Sequence, residues 1–209
     1  MGFVGGFGRA ACENCSLMRD RAKFLAAFVK RPFDTGSITP SSAQLAAAMV
    51  EGMGISEADT VVELGPGTGV FTKLIQQQLR PDARLLCFEI NSEMAEALRH
   101  NFPKVQVVND TIENLAHHLK EAGREGVDAA ISGLPWAAFS PDRQRRLLDA
   151  TVTPIKPGGR FATFAYSHAA WMPPARKFRE LLESRFSHVE TSKVVWRNVP
   201  PAFVYRCRK

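Results

Sequence analysis

The sequence lacks any long uncharged apolar run, and this absence argues against a membrane-spanning helix. A helix that crosses a membrane needs roughly 18 consecutive apolar residues, and no stretch here approaches that length. Phe3, Val4 and Phe7 lie near the amino terminus, but no apolar stretch follows them, so the sequence predicts no secretory signal. We therefore expect a cytoplasmic protein, which can still associate peripherally with the inner face of the membrane.

Cysteine is also scarce: the chain has four, and only Cys12 and Cys15 are close neighbours in sequence. A zinc site would need further ligands close by in space, whereas Cys87 and Cys207 fall in predicted strands. We therefore predict no metal site. We interpret Cys12 and Cys15 as reduced thiols in a Gly-rich amino-terminal segment.

The chain of 209 residues is long enough for one sizeable core and short for two. Its 27 basic and 21 acidic residues give a net charge of +6, and the excess lies at the two ends. Residues 1–36 carry a net charge of +3 and residues 176–209 a net charge of +6. Basic ends indicate an anionic partner surface, either lipid headgroups or nucleic acid, with a soluble protein of high pI as the simpler alternative.

The chain divides into three predicted segments. Residues 1–15 lack hydrophobic periodicity and are predicted to be disordered. Residues 16–56 should form two helices, one over 17–30 and one from Ser41 or Ser42 to about Met53, with a loop facing substrate or membrane between them. Residues 57–209 alternate strands with helices. The predicted strands are 60–64, 84–89, 105–109, 127–132, 159–166, 189–196 and 203–208, and the predicted helices between them are 70–79, 91–101, 112–122, 141–152 and 175–186.

This alternation predicts an α/β fold of the Rossmann-like type, with a mostly parallel sheet of seven strands covered by helices on both faces. Residues 197–202 join the last two strands and are too few for a crossover helix, so the last strand should run antiparallel. Open sheets of this kind bind their ligands at the carboxyl ends of the strands.

The first strand of this series is followed by Glu63-Leu64-Gly65-Pro66-Gly67-Thr68-Gly69. Glycines at such a turn let the backbone approach a ligand closely. A dinucleotide fingerprint would need its third glycine at position 70, which is Val70. The spacing found here resembles motif I of the class I S-adenosylmethionine-dependent methyltransferases, whose loop packs against the methionine part of the cofactor.

That resemblance implies S-adenosylmethionine as the cofactor and gives roles to residues at other strand ends. Glu89, 26 residues after Glu63, should accept hydrogen bonds from the ribose hydroxyls, and Asp110 should contact the adenine amine. The cofactor contacts that the resemblance implies are Glu63, Gly65, Gly67, Thr68, Gly69, Glu89, Ile90, Asp110, Thr111, Ile112, Ser132 and Leu134.

The sequence resembles two methyltransferase families that act on different methyl acceptors. The turn Leu134-Pro135-Trp136 resembles that of the rRNA adenine dimethyltransferases, in which an Asn precedes Leu-Pro-aromatic and helps to hold the adenine amine. Gly133 stands in place of that Asn, and the chain stops where that family continues into a helical RNA-binding domain. We therefore expect no nucleic-acid partner.

Residues 17–209 instead resemble the bacterial phospholipid N-methyltransferases of the soluble-domain type. The matching features are the basic amphipathic first helix, the loop Ser37-Ile38-Thr39-Pro40-Ser41, Ser132-Gly133-Leu134-Pro135 and Pro200-Pro201-Ala202. The resemblance implies methylation of the amine of phosphatidylethanolamine towards phosphatidylcholine. An ornithine-lipid methyltransferase, an RNA or small-amine methyltransferase, and a cofactor-binding relative without activity stay open as alternatives.

The helix over residues 17–30 carries an apolar stripe with basic residues around it. Such a helix can lie in the interface of an anionic membrane, or it can pack its stripe against the sheet. The residues predicted to contact substrate or membrane are Arg19, Lys23, Phe24, Phe28, Phe33, Ile38 and Trp171.

Tyr166, His168 and Trp136 are the predicted catalytic residues. Tyr166 and His168 follow the fifth strand and should orient the amine or relay its proton, with a passive wall as the alternative. Because aromatic faces bind methylated cations, Phe33, Trp136, Tyr166 and Trp171 could form a partial cage at the cleft mouth, with core packing as the alternative. The sequence makes no prediction of oligomeric state.

Overall fold

The structure, a computed structural model, describes residues 41–209. Several predictions fall on residues 1–40 and lie outside the described residues. They are the disordered segment 1–15, the amphipathic helix over 17–30, the Cys12 and Cys15 pair, and the contacts of Arg19, Lys23, Phe24, Phe28, Phe33 and Ile38. Among the described residues, no helix is both long enough and apolar enough to cross a membrane.

The described part of the chain contains seven strands, six α-helices and three short 3-10 helices. The strands are β1 Thr60–Leu64, β2 Arg84–Phe88, β3 Gln106–Val108, β4 Val127–Ser132, β5 Ile155–Tyr166, β6 His188–Thr191 and β7 Ala202–Arg208. The α-helices are α1 Ala43–Val50, α2 Val70–Gln78, α3 Ser92–Asn101, α4 Leu115–Glu121, α5 Pro141–Val152 and α6 Pro173–Glu183. The 3-10 helices are Ile112–Asn114, Trp136–Ala138 and Ser167–Ala169.

The described strands form one sheet in the order β3-β2-β1-β4-β5-β7-β6. β1 to β5 pair in parallel, and β7 runs antiparallel to both β5 and β6. β6 therefore runs parallel to β5, so the carboxyl ends of β1 to β6 lie along one edge, which we call the carboxyl edge. The predicted Rossmann-like α/β fold, with its mostly parallel sheet and antiparallel last strand, is confirmed. The strand order reverses between β1 and β4, where open sheets of this type form a ligand-binding crevice.

The centre of the sheet is buried on both faces. All five residues of β1 are buried, and Val61, Val62 and Leu64 have no exposed surface. β4 is buried over all but one of its residues, Asp128. Continuous apolar runs of this kind are typical of parallel strands that are covered by helices on both sides, and both strands have the bounds that the sequence predicts.

Two of the described α-helices begin at a side-chain cap. The Ser42 hydroxyl accepts a hydrogen bond from the Leu45 backbone N–H at 3.1 Å, so α1 begins at Ala43. The Asn91 side chain accepts one from the Met94 N–H at 3.0 Å at the start of α3. The sequence prediction assigns α1 to the amino-terminal segment 16–56, but its buried residues Leu45 and Met49 belong to the same core as the sheet.

Several predicted elements have different bounds in the structure, and α6, predicted over 175–186, runs from Pro173 to Glu183. β5 begins at Ile155, and the helix predicted from Ile112 starts as a 3-10 turn before α4. β6 ends at Thr191 instead of near Trp196. Its early end has a local cause, because the Ser192 hydroxyl accepts a hydrogen bond from the Val204 N–H at 2.9 Å and stands in for a backbone partner.

Trp136 lies in the hydrophobic core, with only 2% of its surface exposed. Its indole stacks on the Phe178 ring of α6, with centroids 4.8 Å apart, and its N–H donates to the Ser132 hydroxyl at 3.0 Å. The Gln144 side chain of α5 donates to the Trp136 carbonyl at 2.7 Å. The prediction that Trp136 lines the cleft mouth as a catalytic or cage residue is therefore wrong, because its ring joins α6 to β4 and its backbone carbonyl contacts α5.

We predict that Trp136→Ala lowers the free energy of unfolding by about 3–5 kcal/mol, the range for truncating a large buried aromatic residue. Urea denaturation followed by circular dichroism measures this change. Trp171→Ala is the matched control, since Trp171 is 74% exposed, and it should change stability by less than about 0.5 kcal/mol. Equal effects of the two substitutions would contradict this placement of Trp136.

Candidate active site

A glycine loop, residues Gly65–Gly69, joins β1 to α2 at the carboxyl edge. Gly65, Gly67 and Gly69 have φ angles of +68°, +56° and +82°, in the left-handed region where a side chain is disfavoured. The Gly65 N–H donates to the Phe88 carbonyl of β2 at 2.9 Å, which fixes the start of the loop. A Cβ at Gly67 would meet no atom within 4 Å. The backbone at Gly67 is therefore bare and open to a ligand.

Glu89 follows β2 and lies beside the glycine loop. One of its carboxylate oxygens accepts a hydrogen bond from the Gly67 N–H at 3.3 Å, and the other accepts one from the Asn91 N–H at 2.9 Å. Burial raises the pKa of this carboxyl above its usual value. Each oxygen keeps a lone pair for a further donor, so the structure places a two-oxygen acceptor next to the open backbone of Gly67.

Asp110 follows β3 at the same edge, but its carboxylate already has several donors. The His118 ring approaches it at 2.8 Å, Asn114 donates at 3.0 Å, and the Thr111 N–H donates at 2.7 Å. These contacts, with the His118 hydrogen bond foremost, lower the pKa of Asp110 to about 2. Asp110 thus stays ionised at neutral pH. An adenine amine would have to share this acceptor with three protein groups.

Two residues that hold Glu89 and Asp110 in place were not predicted from the sequence. Asn109 donates from its side chain to the Glu89 carbonyl at 2.8 Å, and this bond ties the end of β3 to the end of β2. His118 packs its ring edge against Phe88, with centroids 5.6 Å apart, while it bonds Asp110. His118 lies eight residues after Asp110 on a predicted helix. Its contact with Asp110 could have been predicted only if the side of the helix that faces Asp110 had been known.

Glu63 is fully buried under α2 and does not face the crevice. One carboxyl oxygen accepts hydrogen bonds from the Thr72 hydroxyl at 2.7 Å and the Cys87 thiol at 3.3 Å. The other oxygen is buried without a partner among the described residues. Burial raises the pKa of Glu63 to about 7. The prediction of a direct cofactor contact is therefore not met, because Glu63 has no accessible surface and instead positions the start of α2 against β1 and β2.

The turn after β4 packs against the glycine loop through backbone atoms. The Gly133 N–H donates to the Leu64 carbonyl at 2.8 Å. A Cβ at Gly133 would lie 2.6 Å from the Gly65 carbonyl oxygen, and a Cβ at Gly65 would lie 2.7 Å from the Leu134 side chain. Neither position has room for a side chain in this arrangement. The structure thus brings the predicted cofactor loop and the predicted acceptor turn into direct contact.

Ser132 and its neighbours complete this turn. The Ser132 side chain is buried and accepts from the Leu134 N–H at 3.3 Å, while the Thr163 hydroxyl donates to the Ser132 carbonyl at 3.1 Å. Ile112 is buried, Thr111 is half-buried and caps the 3-10 turn, and Thr68 is exposed on the glycine loop. Ile90 is 59% exposed beside Glu89, where it offers an apolar surface to a flat ligand.

Tyr166 and His168 lie together at the end of β5. Their rings stack with centroids 5.8 Å apart, and Phe164 contacts the Tyr166 ring edge-on at 5.6 Å. Burial raises the pKa of the Tyr166 hydroxyl above its usual value, so it stays protonated at neutral pH. Tyr166 can therefore donate and accept hydrogen bonds, and the His168 ring beside it is exposed.

The described residues at the crevice fit S-adenosylmethionine. Gly67 presents open backbone, and Glu89 presents two acceptor oxygens suited to the paired hydroxyls of a ribose. Ile90 offers an apolar face next to them. When bound, this cofactor supplies an electrophilic methyl group on a positively charged sulfur.

We predict that Glu89→Ala weakens S-adenosylmethionine binding by about 1.5–3 kcal/mol, the range for hydrogen bonds to a charged group. Calorimetric titration measures the affinity. Glu93→Ala is the control, because Glu93 is an exposed carboxylate in the first turn of α3. Affinity that is unchanged in the Glu89 variant, with an unaltered melting temperature, would show that Glu89 is not the ribose partner.

Glu63 generates a prediction about pH. A carboxyl whose folded pKa is raised binds protons more readily in the folded state, so stability falls as pH rises through the interval from its unfolded value to about 7. Glu63→Gln removes this loss. The free energy of unfolding of the variant, relative to that of the parent, should therefore rise by on the order of 3 kcal/mol from pH 5 to pH 8. Urea unfolding at both pH values tests this, and a stability difference that is equal at the two would contradict it.

Comparison with known proteins supports the same assignment. The family model described as a methyltransferase domain matches residues 61–159. The chain is 31% identical over 194 residues to the ornithine lipid N-methyltransferase of Singulisphaera acidiphila, and the match covers 91% of this chain and 97% of that protein.

Two further likenesses cover the fold or a part of it. The ribosomal RNA small subunit methyltransferase A of Acidobacterium capsulatum is 34% identical over 93 residues, which are 43% of this chain and 31% of that protein. The crystal structure of the O-methyltransferase TomG from Streptomyces achromogenes, in complex with S-adenosylmethionine, superposes with a TM-score of 0.64 at 20% identity. That match covers 88% of this chain and 87% of TomG, and it shows the shared fold.

The near full-length relative and the matched domain agree with the glycine loop, with Glu89 and with the strand order of the sheet. The chain belongs to the class I S-adenosylmethionine-dependent methyltransferases, in the same family as the lipid N-methyltransferase of Singulisphaera acidiphila.

Proposed function

We propose that this methyltransferase transfers methyl groups from S-adenosylmethionine to the free amine of an ornithine-based membrane lipid. The observation that carries the proposal is the match to the ornithine lipid N-methyltransferase, which spans 97% of that protein. The similarity therefore extends beyond the cofactor-binding half to the strands and loops that receive the acceptor.

An RNA acceptor is less well supported. The match to the ribosomal RNA methyltransferase of Acidobacterium capsulatum covers 43% of this chain, and the chain spans less than a third of that protein's length. The acceptor turn differs as well, since Gly133 stands where an Asn side chain is expected for an adenine acceptor. A Cβ at this position would lie 2.6 Å from the Gly65 carbonyl, so the turn offers backbone in place of an amide side chain.

The chemistry requires a neutral amine. A primary alkylamine has a pKa near that of lysine, about 10, so it must lose a proton before it can attack the methyl group. A desolvated crevice lowers that pKa. In our proposal the half-buried Tyr166 hydroxyl orients the nitrogen by a hydrogen bond, and the stacked, exposed His168 passes the proton to water. Alignment of nitrogen and methyl group then supplies much of the rate.

Phosphatidylethanolamine is the second candidate acceptor. The sequence features that favour it are the Ser132-Gly133-Leu134-Pro135 turn and the Pro200-Pro201-Ala202 segment, which resemble those of the phospholipid N-methyltransferases. Both candidates present an alkylamine at a membrane surface, and they differ in whether a phosphate lies next to it. The headgroup must therefore be decided by direct comparison.

We expect purified enzyme and methyl-labelled S-adenosylmethionine to label vesicles that contain ornithine lipid, with little label in vesicles that contain phosphatidylethanolamine. Lipid extraction and mass spectrometry identify the products and count the methyl groups that are transferred. The Glu89→Ala variant, which lacks the ribose acceptor, serves as the negative control at low cofactor concentration.

The reverse preference would move the assignment to phosphatidylethanolamine. The absence of label in both lipids, with calorimetry showing intact cofactor binding, would overturn the lipid proposal and favour a soluble amine or an RNA acceptor.

A further inference from the structure

The described part of the chain exposes five large hydrophobic side chains, and all five lie on the carboxyl edge. They are Ile90, Trp171, Met172, Trp196 and Val199. Ile90 follows β2 and belongs to the cofactor site. The other four lie on the loops that follow β5 and β6, and we call these four residues the apolar rim. Trp171 and Trp196 are 74% and 75% exposed, so nearly the whole indole of each faces outward.

The two loops of the apolar rim are joined to each other. Ser167, at the end of β5, donates its backbone N–H to the Pro201 carbonyl at 2.9 Å and its hydroxyl to the same oxygen at 3.1 Å. Val195, next to Trp196, bridges to Ala202, which also pairs with Tyr166. The apolar rim therefore stands beside Tyr166 and His168, on the acceptor half of the carboxyl edge.

The loops themselves are held by buried contacts, so their exposed side chains are presented from a fixed base. Asn198 is only 4% exposed, accepts the Ser42 N–H at 3.0 Å and donates to the Pro200 carbonyl at 2.7 Å. Trp196 and Val199, on either side of it, point away from this anchor and are exposed. Exposed indoles on an anchored loop cost solvation energy that packing within the described residues does not recover.

The Lys, Arg, Asp and Glu residues in the two loops of the apolar rim are all basic. The loop residues 167–172 and 192–201 contain no Asp or Glu, and the second loop contributes Lys193 and Arg197. Arg176 and Lys177 follow in the first turns of α6, whose first turn has no acidic residue. All four cations are exposed. The acids that end β2 and β3, Glu89 and Asp110, lie on the far side of β1.

We propose that the apolar rim is the surface by which the catalytic domain docks on an anionic lipid bilayer, with Trp171 and Trp196 in the interface. The proposal rests on the lipid substrate of the proposed function. Indoles favour the headgroup region because their bodies are apolar and their N–H groups are polar. Basic residues add attraction to anionic lipid. Docking here would bring a lipid amine to Tyr166 without withdrawing the whole lipid from the bilayer.

The tryptophans allow a direct test, because the chain has three and the third, Trp136, is buried. Tryptophan fluorescence is measured as the full chain is added to phosphatidylglycerol vesicles whose acyl chains carry bromine, a contact quencher. The variants are Trp171→Phe, Trp196→Phe and the double variant, which retains Trp136 alone. We expect quenching in both single variants and none in the double variant. Vesicle binding without quenching in the single variants would overturn the proposal.

The charges are tested by co-sedimentation with the same vesicles. Lys193→Glu with Arg197→Glu should weaken binding by about fivefold or more for each cation removed. The matched control is Arg84→Glu with Lys104→Glu, two exposed cations at the opposite edge, where Arg84 is the first residue of β2 and Lys104 precedes β3. Equal weakening by the two pairs would show that net charge alone matters and would contradict a docking face.

Activity on a short-chain aminolipid, dispersed as monomers, separates this proposal from the proposed function. The Lys193→Glu, Arg197→Glu variant should methylate the monomeric lipid at the parent rate and vesicle lipid more slowly. The parent enzyme could methylate lipid although the tryptophans are not quenched and the two charge variants bind vesicles equally well. That result would support the lipid substrate and overturn the docking surface. Absence of methylation of either lipid form would overturn the proposed function itself.

Discussion

The close contact between two backbone turns is the constraint on which the site depends. Gly65 and Gly133 approach so closely that a Cβ on Gly133 would lie 2.6 Å from the Gly65 carbonyl. The contact follows from the parallel pairing of β1 and β4, which ends at Leu64 opposite Ser132. Because both turns leave neighbouring strands at the same level, the cofactor loop and the acceptor turn share one wall. In our proposal, the sheet therefore determines where the methyl donor and the acceptor meet.

Side-chain hydrogen bonds and ring contacts hold this arrangement on either side. Glu63 receives hydrogen bonds from α2 and β2, and Asn109 ties β3 to β2 below Glu89. Trp136 performs the equivalent task beyond β4 by linking the acceptor turn to α6. Glu63, Asn109 and Trp136 therefore support the site through contacts with other parts of the chain, whereas Glu89 keeps acceptor capacity for a ligand beside the open backbone of Gly67.

Much of the fold could be predicted from the sequence, because its central strands are rich in apolar residues and four of the described α-helices begin with a side-chain cap or a proline. The bounds of β1, β4 and α5 match for that reason. The predictions that failed depend on contacts between residues that are distant in sequence. Trp136 follows an acceptor-like motif, and only the position of α6 turns its ring inward. Glu63 fits a cofactor motif, yet Thr72 and Cys87 enclose it. The partners of Asp110 depend on a helix register that hydrophobic periodicity does not specify.

In our proposal, the lipid amine meets the methyl donor at the carboxyl edge between β4 and β5. Photo-crosslinking tests it most directly, with a short-chain ornithine-lipid analogue that carries a diazirine next to its amine and with S-adenosylhomocysteine present to prevent turnover. The account predicts labelled peptides from the turn Gly133–Trp136 and from Tyr166–Trp171. Label confined to the opposite edge, around Gly52 and Arg208, would contradict it.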